Sequence, residues 1–549
     1  MSQALDFIAA PTPPLALPAP DEETRMIGES VRAFMDRAVL PRAGALEAGD
    51  HEALRTLFAE AASLGLTGLE VPERFGGLGL RPAAVLRVAA EVARQPSFAI
   101  ALGAHVSIGT LPLALFGTEP LRARYLPDLA SGARVAAYCL TEPEVGSDAL
   151  AVRTRATLEG DHYRLDGAKQ FVTNAGLAGL FTVFARVEGQ GFTAFAVPAE
   201  TPGVVVGAPE HKMSVRGSPT APVIFEGARV PADHVIGPVG GGHRVAFPIL
   251  TLGRLKLGFT AAGAAREALR LAAAYAAERR QCGRPIAEFE LVRAKLAHMS
   301  ARVGALEACC ERLAAHIDAQ APAGLGALPP AGILRLLRDL DPLAALIKLL
   351  GSEVAGFVAD EAVQIFGGYG VVEDYPVCGL YRDVRVYRVF EGTNEVNRLV
   401  LGGALLRRQR VDAAGPGGGD EPPRDEPPRD EPLCDALRDA IAEAARALAA
   451  MGQAADEAQQ VLADLADLAV ELFALDTLAA TRASAPLQAV YAQGAQARLL
   501  GPLARLGARL GGPAWPPLLA AVVRAVGDTR EAERALAVVA GAAQGRVVA

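Results

Sequence analysis

The sequence predicts a mostly α-helical protein with a central β domain and an extra helical domain at its C-terminal end. Three observations carry that prediction. Ala and Leu dominate a chain of 549 residues in which aromatics amount to 5%, a composition that favours helix over an all-β fold. Between residues 136 and 240 the helical spacing gives way to short β-prone runs bounded by turn residues. At 411–432 the run GPGGGDEPPRDEPPRDEP repeats EPPRD and offers nothing to bury, so it reads as a linker. A chain of this length exceeds one ordinary domain.

In chain order, residues 1–21 read as a flexible Pro-rich lead-in. They carry no Lys or Arg, and so lack both the charged start of a secretory signal and the Arg-rich pattern of a mitochondrial transit peptide. Residues 22–135 read as an N-terminal helical domain. From 22 to 40 the apolar positions Met26, Val31, Phe34 and Met35 follow helical spacing, and Pro41 is expected to end the helix. The stretch VPERFGGLGL at 71–80 reads as loop. In the β domain at 136–240, HYRLDGAKQFVTN sets Asp166 and Gly167 between two β-prone runs, a hairpin signal. FTVFARV (181–187), FTAFAVP (192–198) and PVIFEGARVP (222–231) read as further strands. Residues 241–410 return to long helices. Within them AQAPAGLGALPPAGILR (319–335) reads as an insertion, a loop with a short added helix. Past the linker, 433–549 is helical again. In VLADLADLAVEL, Leu462, Leu465, Ala469 and Leu472 share one face, and Asp464, Asp467 and Glu471 share another. Gly511, Gly512, Pro513, Pro516 and Pro517 break this region before a last helix starting near Asp528.

Composition narrows the function. A net charge of −8 speaks against a nucleic-acid partner, for which a basic patch is expected. Six cysteines without a CxxC pair suit a reducing compartment. Eight histidines show no metal-ligand spacing, so no metal site is expected. No uninterrupted apolar run reaches ~18 residues, so no membrane-spanning helix is expected. GPVGGGHR at 237–244 lacks the GxGxxG spacing and no GxxxxGK occurs, so neither a nicotinamide nor an ATP site is implied. With a lead-in that has no Lys or Arg, these readings lead to the expectation of a bacterial cytoplasm.

The chemistry lies in three segments. In YCLTEPEVGSD (138–148), Gly146 and Ser147 offer backbone N–H groups and a hydroxyl suited to a phosphate or ring oxygen. QIFGGYG (364–370) reads as a helix end with Gly-rich capping. RDVRVYRVFEGTNE (382–395) holds Glu391 among the apolar Tyr387, Val389 and Phe390, surroundings that raise a carboxyl's pKa toward that of a useful base. Gly392 leaves the backbone open to close approach. In this order and at these separations the segments resemble the acyl-CoA dehydrogenase family, flavoenzymes that desaturate acyl thioesters between the α and β carbons. The likeness spans roughly residues 25–405.

That resemblance implies an N-terminal helical domain, a middle β-barrel and a C-terminal helical bundle, here with the additional C-terminal domain. It implies Glu391 as the catalytic base that takes the α proton while FAD accepts the β hydride. The oxyanion would be held by the Glu391 N–H and a ribityl hydroxyl. Tyr138, Leu140, Thr141, Gly146 and Ser147 would line the cofactor, followed by Phe171, Val172 and Thr173, where Phe171 stands in place of the family's common Trp. ERRQCGRPI (278–286) matches a loop that reaches the flavin diphosphate of a neighbouring subunit, through Arg279 and Gln281. Cys282 replaces its usual Phe, and Glu290 stands where Gln is frequent. Gln364, Phe366, Gly367 and Gly368 would complete that cross-subunit site. Thr393, Asn394 and Glu395 match positions that touch the flavin, Ser147 and Gly392 match substrate contacts, and Arg254 would hold the substrate's thioester region or order the base loop. Some branches carry the base immediately before Arg254; here that residue is Gly253. The resemblance further implies an acyl-CoA substrate, electron-transferring flavoprotein as acceptor, and a homodimer, with a tetramer as the alternative.

LGAHVSIGT (102–110) and the segment leading into the first motif are closest to the very-long-chain branch, whose C-terminal extension supports dimerisation and peripheral membrane contact. Residues 433–549 contain no Lys and balance acid and base, so a basic membrane face is absent. The expected function is dehydrogenation of medium- to long-chain acyl-CoA in fatty acid β-oxidation. The alternatives are a scaffold acting through the C-terminal domain, a flavin monooxygenase of the same fold, and an acyl-carrier-protein dehydrogenase.

Overall fold

The computed structural model describes residues 21–414, 432–450, 458–481, 483 and 485–510. The lead-in, nearly all of the linker, the Gly/Pro-rich break and the helix expected near Asp528 lie outside the described residues.

Helix α1 (Glu22–Phe34) starts at Asp21, whose carboxylate accepts the Thr24 N–H at 2.8 Å. Pro41 does not end the helical path. The chain continues through a π-helical turn (Met35–Val39) into a 3-10 turn (Leu40–Arg42), where Pro41 sits early enough that its missing N–H leaves no bond unmade. Helices α2 (His51–Ser63), α3 (Pro82–Val92), α4 (Pro96–Ala104) and α5 (Glu119–Ala130), with the short helices Ala43–Glu47 and Leu111–Phe116, make up the rest of the N-terminal layer. Phe34, Leu57, Phe58 and Phe98 fill its core. The loop at 71–80 contains one 3-10 turn, Glu73–Phe75.

The β domain is a single eight-stranded sheet. Its strands are β1 (Val135–Cys139), β2 (Arg155–Glu159), β3 (His162–Thr173), β4 (Ala178–Val187), β5 (Gly191–Pro198), β6 (Val204–Val206), β7 (Thr220–Pro231) and β8 (Val235–Ile236). Their order is β6-β7-β3-β2-β4-β5-β8, with β1 parallel to β4 off that path. The hairpin turn falls at Gly160 and Asp161, not at Asp166 and Gly167. Asp166 and Gly167 lie inside β3, beside a register shift against β7. Asp166 Oδ1 accepts the Gly227 N–H at 2.9 Å, and a Cβ at Gly167 would come within 2.7 Å of Thr154. Here Gly answers a close approach rather than a turn.

Beyond the sheet run α6 (His243–Glu278), α7 (Glu290–Gln320), α8 (Pro330–Phe366), α9 (Pro376–Val384) and α10 (Asn394–Ala414). Helices α6 and α8 cross where two glycines allow it: a Cβ on Gly351 would lie 2.9 Å from the Gly258 carbonyl. The segment 319–335 holds no separate small helix. After a 3-10 turn (Leu325–Ala327), Pro330 opens α8 directly, so the segment lengthens α8 at its N-terminal end.

Helices α11 (Pro432–Ala450), α12 (Gln459–Ala480) and α13 (Ala485–Leu510) form the described extension. Asp464, Asp467 and Glu471 share a face of α12 that packs rather than faces water: Asp464 and Glu471 are buried and Asp467 is half-buried. Arg398 of α10 reaches Asp467 at 2.8 Å, Arg505 reaches Asp464 at 2.7 Å, and Arg498 reaches Glu471 at 2.9 Å.

Contrary to the sequence-based expectation, three helical stretches are long and apolar enough to cross a membrane: Pro96–Phe116, His243–Glu278 and Pro330–Val371. Single polar residues such as Lys256 and Lys348 interrupt the latter two, so no unbroken run announces them. In each, 83% of the apolar window is buried inside the fold, which accounts for the composition.

Candidate active site

A cavity of about 960 Å³ opens between the β domain, the end of α4 and helices α6, α8 and α10. Tyr138, Leu140, Thr141, Gly146, Ser147, Phe171 and Thr173 line its β side, and Glu391 and Arg254 lie opposite. The loop after β1 is fixed from below by a buried pair. Glu142 accepts from Lys169 Nζ at 2.7 Å, from the Thr154 hydroxyl at 2.6 Å and from the Arg153 and Thr154 N–H groups. Desolvation pushes the Glu142 carboxyl up, but these bonds outweigh it and hold it below the usual range.

Glu391 lies in the turn between the 3-10 helix Arg385–Arg388 and α10. Its φ is 55° and that of Gly392 is 79°, so a non-glycine residue is held in the left-handed region. The carboxylate lies against Gly253, where a Cβ would come within 2.6 Å of Oε2. Oε2 is itself buried with no hydrogen-bond partner. Desolvation pushes the Glu391 carboxyl up to about 7, against the opposing pull of Arg254 and Lys348. The Tyr138 hydroxyl is also buried without a partner, and its pKa is raised by desolvation and by Glu391.

The loop's backbone is captured from inside. Arg254 Nε donates to the Glu391 carbonyl at 3.3 Å, while its Nη1 binds Asp341 at 2.8 Å. Thr251, one turn earlier on α6, donates to the same Asp341 oxygen at 2.8 Å. Arg254 thus orders the base loop through its main chain. Lys348 Nζ donates to the Gly392 carbonyl at 2.8 Å and to Asn394 Oδ1 at 2.6 Å.

Comparison with known proteins matches this arrangement along most of the chain. Family models described as the acyl-CoA dehydrogenase N-terminal, middle and C-terminal domains match residues 21–133, 137–228 and 240–406. A probable acyl-CoA dehydrogenase of Bacillus subtilis is 37% identical over 496 residues, covering 86% of this chain and 82% of that protein. The chain belongs to the acyl-CoA dehydrogenase family. A crystal structure of an acyl-CoA dehydrogenase complexed with FAD from Bacillus anthracis superposes with a TM-score of 0.87 at 31% identity, covering 98% of both chains. The very long-chain specific acyl-CoA dehydrogenase of Bos taurus is 39% identical over 350 residues, 62% of this chain and 51% of that one.

Within this acyl-CoA dehydrogenase the implied residues fall into three places. The Glu391 cavity gathers Tyr138, Leu140, Thr141, Gly146, Ser147, Phe171, Thr173, Arg254 and Gly392. Val172 faces the other way, into the β core, because neighbours along a strand alternate sides. Arg279, Gln281, Phe366, Gly367 and Gly368 line a separate hollow of about 460 Å³, in which Tyr275 stacks on Phe366 at 4.1 Å. Gln364 is exposed on the last turn of α8, beside that hollow. Thr393, Asn394 and Glu395 line neither space. Thr393 Oγ1 accepts the Val396 N–H at 3.3 Å as a helix cap. Asn394 is buried, donating to Ser352 at 3.0 Å and Glu353 at 2.9 Å. Glu395 is exposed. The first turn of α10 thus uses the Thr393 and Asn394 side chains for capping and packing, while Glu395 stays exposed.

Sequence reasoning missed Lys348, Asn397 and Asp341. A signal for the first existed: Lys348 is the only charge in the apolar run PLAALIKLLG of α8, in a chain with five lysines among 54 basic residues. For Asn397 and Asp341 no spacing rule gives a role.

Proposed function

We propose that the chain is an FAD-dependent acyl-CoA dehydrogenase of medium- to long-chain thioesters, yielding trans-2-enoyl-CoA as in fatty acid β-oxidation. The observation that carries this reading is a single carboxylate, Glu391, whose Oε2 is buried without a partner on the wall of a cavity large enough for a flat ring and an acyl chain. A carboxyl with its pKa near 7 is suited to accept a proton at neutral pH. The residues on the β side fit a flavin: Phe171 offers a flat apolar face, and Gly146 and Ser147 offer small polar contacts. FAD, when bound, supplies the two-electron sink that no side chain provides.

In this reading the Glu391 carboxylate takes the α proton of the thioester, and its own N–H steadies the negative charge that grows on the carbonyl oxygen. Phe390, Val396 and Val400 keep water from that face. The diphosphate half of FAD suits Arg279 in the second hollow. A second copy of the chain would bring its hollow to the first copy's cavity, which makes a homodimer the competent unit. Electron-transferring flavoprotein is the proposed acceptor. The rim of the Glu391 cavity favours CoA as carrier: Arg244, Arg338 and Arg407 are exposed there, with no ion pair among the described residues.

Two experiments test this. Glu391→Gln is expected to keep bound flavin and lose turnover by about 10³-fold or more. Unchanged turnover would remove Glu391 as the base. An acyl-pantetheine without the phosphates of CoA is expected to show a KM raised tenfold or more. An equal KM would remove the arginine rim from substrate binding.

A further inference from the structure

Three consecutive carbonyls of the base loop point into the protein. Asn397 Nδ2 donates to the Gly392 and Thr393 carbonyls at 2.9 Å each and reaches that of Glu391 at 3.5 Å. Arg254 takes the Glu391 carbonyl and Lys348 the Gly392 carbonyl. In a planar trans peptide the N–H points opposite to the C=O. The N–H groups of Gly392, Thr393 and Asn394 therefore turn away from these donors, and they meet no acceptor among the described residues. The left-handed φ values at Glu391 and Gly392 are the backbone's way of presenting this run of carbonyls inward.

Among the described residues Lys348 makes no other hydrogen bond or ion pair. It is fully buried in the middle of α8, and its hydrogen bonds go to the Gly392 carbonyl and to Asn394. A buried ammonium without a carboxylate bonded to it costs several kcal/mol, roughly, unless its protons are satisfied. Burial accordingly pushes it down to about 8, with Glu391 pulling it back up. A methionine would fill the same space at far lower cost.

We propose that Lys348, seconded by Asn397, is the positioning residue of the base loop: it pins the Gly392 carbonyl inward, which aims the Glu391 carboxylate into the cavity and turns the following N–H groups outward. This rests on Glu391 being the base. The charge of Lys348 has a second effect, on where Glu391 titrates. The groups facing Glu391 are Arg254 on α6, itself tied to Asp341 of α8, then Lys348 on α8 and Tyr138 on β1. Glu353 and Glu395 flank Lys348 from α8 and α10. Removing the lysine takes away one of the two cations that, among the described residues, hold Glu391 down.

The test uses the full-length holoenzyme with Lys348→Met and Asn397→Ala, and Glu391→Gln as reference. Infrared difference spectra against pH follow the protonated-carboxyl band that Glu391→Gln lacks; this needs no substrate and no turnover. In Lys348→Met that band is expected to titrate at least half a pH unit higher than in the wild type, with kcat down tenfold or more at pH 7 and KM within threefold. Asn397→Ala loosens the carbonyls without changing charge. It is expected to lower kcat tenfold while the band titrates as in the wild type. A band unmoved in Lys348→Met, with kcat within twofold, overturns the proposal. If Lys348→Met does not fold, wild-type kcat in Asn397→Ala overturns it instead. Should the wild type itself fail to turn over acyl-CoA while the band still shifts in Lys348→Met, the fault lies in the proposed function and not in the latch.

Discussion

Glu391 is held in a backbone conformation that most residues avoid, with its carboxylate pressed on a position that only glycine can occupy. Both features cost stability, and both persist because Arg254, Lys348 and Asn397 hold the loop. Its pH behaviour follows. The folded value near 7 lies above the usual carboxyl value of 4.5, so proton uptake favours the folded state. That stabilisation is present below pH 4.5 and is lost as pH rises through about 7. Activity has the opposite slope, because the base must be ionised. We expect kcat/KM to climb through about pH 7 along a single proton-dependent limb, and the melting temperature of Glu391→Gln relative to wild type to rise between pH 5 and pH 8. A limb near pH 4.5 would show the carboxyl to be solvated. Glu391, Gly392 and Gly253 were legible as residues because a base, a bare backbone and an unoccupied position each leave a mark in sequence. Lys348 was not weighed, because a lone charge in an apolar helix says nothing of the carbonyl it meets 44 positions later.

At the scale of elements, α12 is the clearest departure from pattern. Its acidic face, evident in the sequence, meets arginines instead of water, because α10 and α13 close over it. Periodicity reports that a face is polar; whether that face is wet depends on what packs there. Glu471 links α12 to α13, accepting from Arg498 and from the Tyr491 hydroxyl at 3.1 Å. Truncating it strands a partly buried guanidinium. We expect Glu471→Ala to destabilise the extension by about 2–4 kcal/mol, seen as a lower melting temperature, whereas Glu471→Gln should lose less. Equal melting temperatures for Glu471→Ala and wild type would show this contact to be idle. The misplaced hairpin teaches the same lesson: Asp166 and Gly167 have turn chemistry, yet pairing along β3 overrides it.

At the scale of the whole molecule, the layered plan was readable because three sequence regimes follow one another and each has its own period. The extension's docking was not, since ion pairs such as Arg398 with Asp467 join residues far apart in the chain. The resemblance had already set Arg279 apart from Glu391, and the fold places the two in separate hollows. The account stands or falls on what the first hollow does. The most direct measurement is an anaerobic mixture of the purified protein with one equivalent of a saturated medium- or long-chain acyl-CoA, followed by flavin absorbance and product analysis. The account predicts bleaching of the flavin with one trans-2-enoyl-CoA formed per flavin, and neither change in Glu391→Gln. A colourless protein, or bleaching that survives in Glu391→Gln at the wild-type rate, would contradict it.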